Sequence, residues 1–209
     1  MAAVITVAQQ KGGAGKTLLA AHLAAALAPD RRVALLDIDP QRSLARWHAL
    51  RAERRSAPAA LTFSDLSGWR LRTELERLRR THDFVLVDSP PRLDTDAKLA
   101  VRGADLVLVP IQPSPPDLWA AEGTLALAAE ERRPARLVFN RVQAASRLRE
   151  QVETEIARKR LGLLQATLGN RTAFAQAFAA GLGVTEAAPR SAAAAELRAL
   201  LAEIEETLR

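Results

Sequence analysis

Val4-Ile5-Thr6-Val7-Ala8, Gln9-Gln10 and then Lys11-Gly12-Gly13-Ala14-Gly15-Lys16-Thr17 form the stretch that decides the fold. An apolar strand runs into a glycine-rich turn, and Lys16-Thr17 opens a helix. Successive backbone N–H groups in such a turn make an anion-binding nest. The helix N-terminus adds unpaired donors and its positive dipole end. Gly12, Gly13, Ala14 and Gly15 then cradle nucleotide phosphates, Lys16 reaches the β- and γ-phosphates, and the Thr17 hydroxyl can ligate Mg²⁺. The run departs from the ordinary P-loop in two ways. Gln10 stands where that pattern has its first Gly, and Lys11 adds a second lysine. Lys16 already serves the phosphates, so Lys11 needs an explanation of its own.

Outward from this loop, apolar runs alternate with helical stretches. The runs predict strands over 4–8, 33–37, 84–88, 106–110 and 137–140. Several are apolar at nearly every position, as strands covered on both faces of a parallel sheet are. Helices are expected near 16–28, 41–55, 70–81, 95–102, 115–131, 146–160 and 191–208, and residues 163–168 are a candidate last strand. The alternation implies an α/β fold, doubly wound, with a mostly parallel sheet and helices on both faces. All 209 residues read as one domain with a sizeable core. The Pro-rich residues 110–116 are a rigid connection, not a linker. The last helix places Leu197, Leu200, Leu201, Ile204 and Leu208 on one face, with Glu203, Glu205 and Glu206 outward, and is expected to pack on the sheet.

Composition removes several chemistries. There is no cysteine, which excludes disulfides, thiolate catalysis, Cys-ligated zinc and iron–sulfur clusters. The apolar residues 18–28 are too short to span a bilayer and include His22. No leader pattern opens the chain, so a cytoplasmic location is expected. The net charge of +6 and pI near 10.8 favour polyanion partners, although an arginine-rich genome gives the same excess.

Ligands of open α/β sheets sit beyond the carboxyl ends of the strands. The run 33–37 ends in Asp37-Ile38-Asp39-Pro40-Gln41, whose alternation puts Asp37 and Asp39 on one side. By itself, Asp39-Pro40 reads first as a helix cap with Pro at N1; after a phosphate loop at this distance, the reading is a site, since two carboxylates there can arrange Mg²⁺-bound and hydrolytic water. The run 84–88 ends in Asp88, the Walker B position that holds Mg²⁺ through water, or simply a turn aspartate. The run 137–140 ends in Asn140, able to read an adenine edge or to form a turn.

Together these residues resemble the ParA/MinD family of P-loop ATPases, whose deviant Walker A motif is Lys-Gly-Gly-x-Gly-Lys-Thr. The likeness covers essentially the whole chain. Asp37 to Gln41 followed by Trp47, and Gln112 to Trp119, look like the small ParF-like branch. The resemblance implies that Lys11 crosses to a partner subunit and contacts its ATP, so that nucleotide drives a homodimer. It also implies that Lys16 binds phosphates in cis, Thr17 and Asp88 hold Mg²⁺, Asp39 activates water and Asn140 reads adenine. Asp37 is a supporting contributor. Arg42 departs from relatives that have Gly there.

The same likeness implies a ParA-type switch that binds DNA without sequence preference at the nucleoid. A ParB- or ParG-like adaptor then triggers hydrolysis, and the cycle positions a plasmid, chromosome origin or protein assembly. Candidate DNA contacts are Arg147, Arg149, Arg158, Lys159, Arg160, Arg171 and Arg190, each also readable as a solvated face. A MinD-like membrane switch is the alternative, and it calls for a basic amphipathic C-terminal helix, whereas this one ends Glu205-Glu206-Thr207-Leu208-Arg209. Nitrogenase-reductase-like chemistry needs cysteines and tyrosine-kinase relatives need tyrosines, and the chain has neither. A dethiobiotin-synthetase-like ligase has no use for Lys11 in trans.

Overall fold

The strands are short and the helices between them long enough to cross back over a sheet, which is the geometry parallel pairing requires. In the computed structural model, which describes residues 1–54, 59–66, 68–92, 94–143 and 147–209, the order is β1 (Ala3–Val7), α1 (Lys16–Leu27), β2 (Val33–Asp37), α2 (Ser43–Ala52), β3 (Thr62–Asp65), α3 (Leu71–Leu78), β4 (Phe84–Asp88), α4 (Thr95–Gly103), β5 (Leu106–Ile111), α5 (Pro115–Glu130), β6 (Ala135–Phe139), α6 (Arg147–Arg158), α7 (Thr172–Ala179), α8 (Val184–Ala187) and α9 (Ala192–Thr207). A 3₁₀ turn, Gly68–Arg70, leads into α3. Residues 55 and 146, which end one expected helix and start another, lie outside the described residues.

The six strands form one sheet in the order β3-β2-β4-β1-β5-β6, with every pairing parallel. β1, β2, β4 and β5 are each buried at four or more positions, as expected of strands covered on both faces. Alternation sorts their side chains. Ile5, Val7, Leu35, Leu86 and Leu108 pack under α1, α2, α7, α8 and α9. Val107, Val109, Leu137 and Phe139 pack under α5 and α6, and Val4, Leu36, Val85 and Val87 under α3 and α4.

One face is therefore covered twice. α1 is apolar all round, and Leu19, Ala20, Ala21, Leu23, Ala24 and Ala25 are all fully buried. A helix of that kind must be enclosed, and α7, α8 and α9 enclose it. His22 fastens these layers. Its Nδ1 accepts from the Val184 amide at 3.0 Å, and its Nε2 donates to the Phe174 carbonyl at 3.1 Å. α9 accordingly packs on α1 and α8, a correction to the expected docking straight on the sheet. Glu203 is also not simply outward: its two oxygens accept the Gln165 and Ala166 amides at 2.8 and 2.9 Å.

Residues 163–168 do not form a strand. They run beside β6 through isolated bridges such as Leu137 to Leu163, with the Leu168 amide donating to the Phe139 carbonyl at 2.9 Å. β3, α7 and α8 were not expected. β3 is a four-residue edge strand of mostly polar residues, held by Ser64 on Glu74 at 2.6 Å and by Phe63 stacked on His48.

Candidate functional site

β1, β2 and β4 run in register, so Val7 lies beside Asp88 and Asp37 beside Asp88. Their carboxyl ends thus open on one place. There the chain leaves β1 through the glycine loop and enters α1. Gly13 and Gly15 have φ of +77° and +94°, the left-handed region that glycine tolerates without strain. A Cβ on Gly15 would also lie 2.4 Å from the Asn140 side-chain nitrogen, whereas Cβ atoms on Gly12 and Gly13 would meet nothing within 4 Å. The loop is pinned at its far end and faces open space at its near end. That space is a cleft of about 210 Å³ whose walls include Gly12, Gly13, Lys16, Thr17, Asp39, Gln41 and Arg141.

Lys16 is buried, and loss of water lowers its pKa, with Asp88 and Asp39 nearby pulling it back up. Asp88 is fully buried. Burial pushes its carboxyl up to about 8; Thr17 and Lys16 oppose this, and the charges of Asp37 and Asp39 add to it. Neither Asp88 oxygen has a hydrogen-bond partner among the described residues, so the Thr17 hydroxyl is near without being aligned to donate. An orphaned buried carboxylate calls for a partner. A hydrated divalent cation beside Thr17 fits that demand. No group of three or more acidic or histidine side chains at metal-holding separation occurs among the described residues, so such an ion would need oxygens from a ligand.

Asp37 is buried as well, and its oxygens accept the backbone amides of Asp39 and Ala45, both at 3.0 Å. Burial raises its pKa against these bonds. Its side chain shapes the loop that carries Asp39. Asp39 is no helix cap. Its Oδ1 accepts the Gln41 amide at 2.9 Å in a local turn, and α2 begins only at Ser43. The cap position is Arg42, at φ 55°, with its guanidinium on Asp65. A side chain stands there in a backbone region where glycine is favoured.

Asn140 braces the phosphate loop. Its Nδ2 donates to the Ala14 carbonyl at 2.9 Å, and its Oδ1 accepts the Arg141 amide at 2.9 Å. Each end of this buried amide makes one bond to the loop it braces, which keeps a second N–H and a second lone pair in its bonding capacity.

Lys11 stands half exposed at the other end of the loop, and its Nζ lies 2.7 Å from Asp117 Oδ2. Asp117 is buried at the start of α5, where Ser114 Oγ also donates to Oδ2 at 2.6 Å. Gln10 lies against the same helix, and a Cβ on Gly123 would be 2.0 Å from its side-chain nitrogen. Both departures from the ordinary loop therefore rest on α5. Asp117 was missed as a site residue because Ser114-Pro115-Pro116-Asp117 reads as an ordinary capping sequence.

Of the expected DNA contacts, four are tied to carboxylates: Arg149 to Glu153, Arg158 to Glu155, Lys159 to Glu122 and Arg171 to Glu196. Arg147, Arg160 and Arg190 are exposed, with no ion pair among the described residues. No described helix is long and apolar enough to cross a membrane.

Residues 5–184 match the family described as CobQ/CobB/MinD/ParA nucleotide binding domain. The chain belongs to that family. Within it, the chain is 31% identical over 208 residues to "Maintenance of carboxysome distribution protein A" of Halothiobacillus neapolitanus, covering 96% of this chain and 95% of that one. It is 31% identical over 192 residues to "Protein ParA" of Rhizobium radiobacter, covering 85% and 83%. Its fold matches the septum site-determining protein MinD of Pyrococcus horikoshii, solved with Mg-ADP, at a TM-score of 0.79 and 18% identity over 99% and 97% of the two chains. Family membership accounts for the three-layer architecture and for a phosphate loop at the carboxyl end of β1.

Proposed function

We propose that the chain is a ParA-type positioning ATPase acting as a single unit over residues 1–209. The observation that carries this reading is a loop armed with two lysines of opposite aspect. Lys16 is buried beside Asp88, and Lys11 projects half exposed at the loop's start. One lysine suffices for phosphates bound in cis, and the half-exposed second lysine supports a contact with ATP held by another copy.

In this reading the Gly12–Thr17 backbone and Lys16 hold ATP, while Thr17 and Asp88 hold Mg²⁺. When bound, Mg²⁺ neutralises phosphate charge. Asp39 orients the attacking water from a loop that Asp37 fixes. Lys11 leaves Asp117 and engages the partner's nucleotide, so ATP drives a homodimer. The dimer binds DNA without sequence preference at the nucleoid through exposed cations, with Arg147, Arg160 and Arg190 the least encumbered, until an adaptor stimulates hydrolysis. Plasmid, chromosome origin and protein assembly are the cargo classes, the last supported by the relative named for carboxysome distribution.

The test is a paired assay with ATP: DNA retention at low and high salt, and pelleting with anionic liposomes. DNA retention that requires ATP and falls steeply with salt is expected. Liposome pelleting without DNA retention replaces this reading with a MinD-like one. In parallel, Asp39→Ala is expected to keep ATP-dependent dimers while losing at least about a hundredfold in turnover; unchanged turnover removes the role given to Asp39.

A further inference from the structure

At the opposite end of the sheet, α3, α4 and the turn after α5 enclose a second cleft of about 300 Å³. Its floor is apolar, formed by Leu75 and Leu99, and four arginines stand around it: Arg72, Arg79, Arg102 and Arg133. Glu76 is the carboxylate on the rim. Two of the arginines are already engaged. Arg79 grips Asp105 through both terminal nitrogens at 2.8 and 3.0 Å and also donates to the Ala2 and Gly103 carbonyls. Arg102 holds Glu131 at 2.8 and 2.7 Å.

The other two are not. Arg72 is exposed with no ion pair among the described residues. Arg133 lies in the field of Glu131, yet its Nε is buried with no hydrogen-bond partner among the described residues. An orphaned guanidinium donor costs the desolvation of that group unless a ligand supplies an acceptor. With Asp105, Glu131 and Glu76 counted, the cleft still carries an excess of positive charge.

We propose that this cleft docks an acidic segment of a partner protein, one apolar side chain resting on Leu75 and Leu99 with flanking carboxylates on Arg72 and Arg133. The apolar floor and the arginine rim select this occupant together. Nucleic acid phosphates would use the rim and leave the floor wet, and a neutral apolar peptide would leave the donors unpaired. The rim is open, with Arg72, Glu76 and Arg102 all exposed, which suits a chain passing over it better than a small molecule that must be enclosed.

Position gives the site its meaning. Arg79 contacts Ala2 and Asp105, at the amino ends of β1 and β5. The phosphate loop leaves the carboxyl end of β1, about 15 Å of strand away. A segment resting on Leu75 and Leu99 sits a strand's length from the nucleotide, and it leaves the loop end free to pair with another copy. The cleft is a tether that holds its partner in every nucleotide state, and it stands whether or not the ATPase reading does.

The experiment uses the full chain and fluorescein-labelled peptides of sequence Glu-Glu-Leu-Glu-Glu, Gln-Gln-Leu-Gln-Gln and Glu-Glu-Gly-Glu-Glu, titrated with and without ATP and Mg²⁺. Saturable binding of the first peptide is expected, at least about tenfold tighter than either control and equal in both nucleotide conditions. The double variant Arg72→Gln/Arg133→Gln is expected to lose at least about tenfold, and Leu99→Trp to fill the cleft and block binding. Melting curves and ATP binding on the same samples separate a misfolded variant, or failure of the nucleotide reading, from failure of this one. No saturable binding, equal binding of all three peptides, an unaffected double variant, or displacement by glutarate or inorganic phosphate at concentrations equal to the peptide's would overturn the proposal.

Discussion

The two ends of the sheet handle charge in opposite ways. At the amino ends, acids meet arginines of the same chain: Asp83 with Arg32 at 2.8 Å, and Asp105 with Arg79. Arg32 holds the Asp83 carboxyl down at about 2. At the carboxyl ends, Asp88 is buried with no hydrogen-bond partner among the described residues, and burial lowers the pKa of Lys16. Paired charges stabilise the chain as it stands, whereas unpaired buried ones are tolerated where a ligand completes them. The contrast marks the carboxyl end as the side of the nucleotide site, while at the amino end the Arg133 Nε is a buried donor without an acceptor among the described residues.

Four expected outcomes probe that division, from the largest effect downward. Lys16→Ala should weaken ATP binding by about a hundredfold, near 3 kcal/mol, while the ligand-free melting temperature barely moves. A calorimetric titration showing unchanged affinity would remove Lys16 from the phosphate site. His22, midway between the ends, should act on stability alone. Burial lowers its pKa to about 4 from an ordinary 6.5. The unfolded chain therefore takes up a proton that the folded chain refuses, and stability falls by about 3 kcal/mol as pH drops from 6.5 to 4. Urea unfolding across that range checks it, and His22→Gln should flatten the slope.

Arg79→Ala should cost about 2 kcal/mol, since it strips Asp105 and two carbonyls of donors at a partly exposed site. ATP affinity should stay the same; a loss there would show that the two ends are coupled. Asp88→Asn should stop hydrolysis yet raise ligand-free stability by about 1 kcal/mol at pH 7. The sign follows from Asp88's raised pKa of about 8. Its contribution is fully present below the ordinary carboxylate value and is lost as pH rises toward 8. A variant that melts lower than the parent at pH 7 would mean that Asp88 is satisfied within the folded chain.

Legibility from sequence followed local pattern. Lys11 to Thr17 announced its turn and helix, and strands buried on both faces announced themselves as apolar runs. β3 gave no such signal, because an edge strand of Thr, Phe, Ser and Asp pairs on one side only. α7 and α8 were missed because their task is to cover α1, and nothing in residues 172–187 states what they cover. Asp88 stood at a readable strand end. For Asn140, sequence gives an amide's position but not its loop partners, the Ala14 carbonyl and the Arg141 amide. The Lys11–Asp117 pair joins residues 106 positions apart, beyond any periodicity.

By itself the sequence determined the phosphate loop, the parallel α/β order and the strand ends where the site lies, because turns and burial patterns are written over a few neighbouring residues. Tertiary structure alone decided which charges find partners. It set Lys11 on Asp117, bound Asn140 and Asp37 to the loops beside them, left Asp88 without a hydrogen-bond partner among the described residues, and gathered arginines around Leu75 and Leu99. Those outcomes depend on distances between segments far apart in the chain, and a pairing over a few ångströms exists only once the sheet has brought them together.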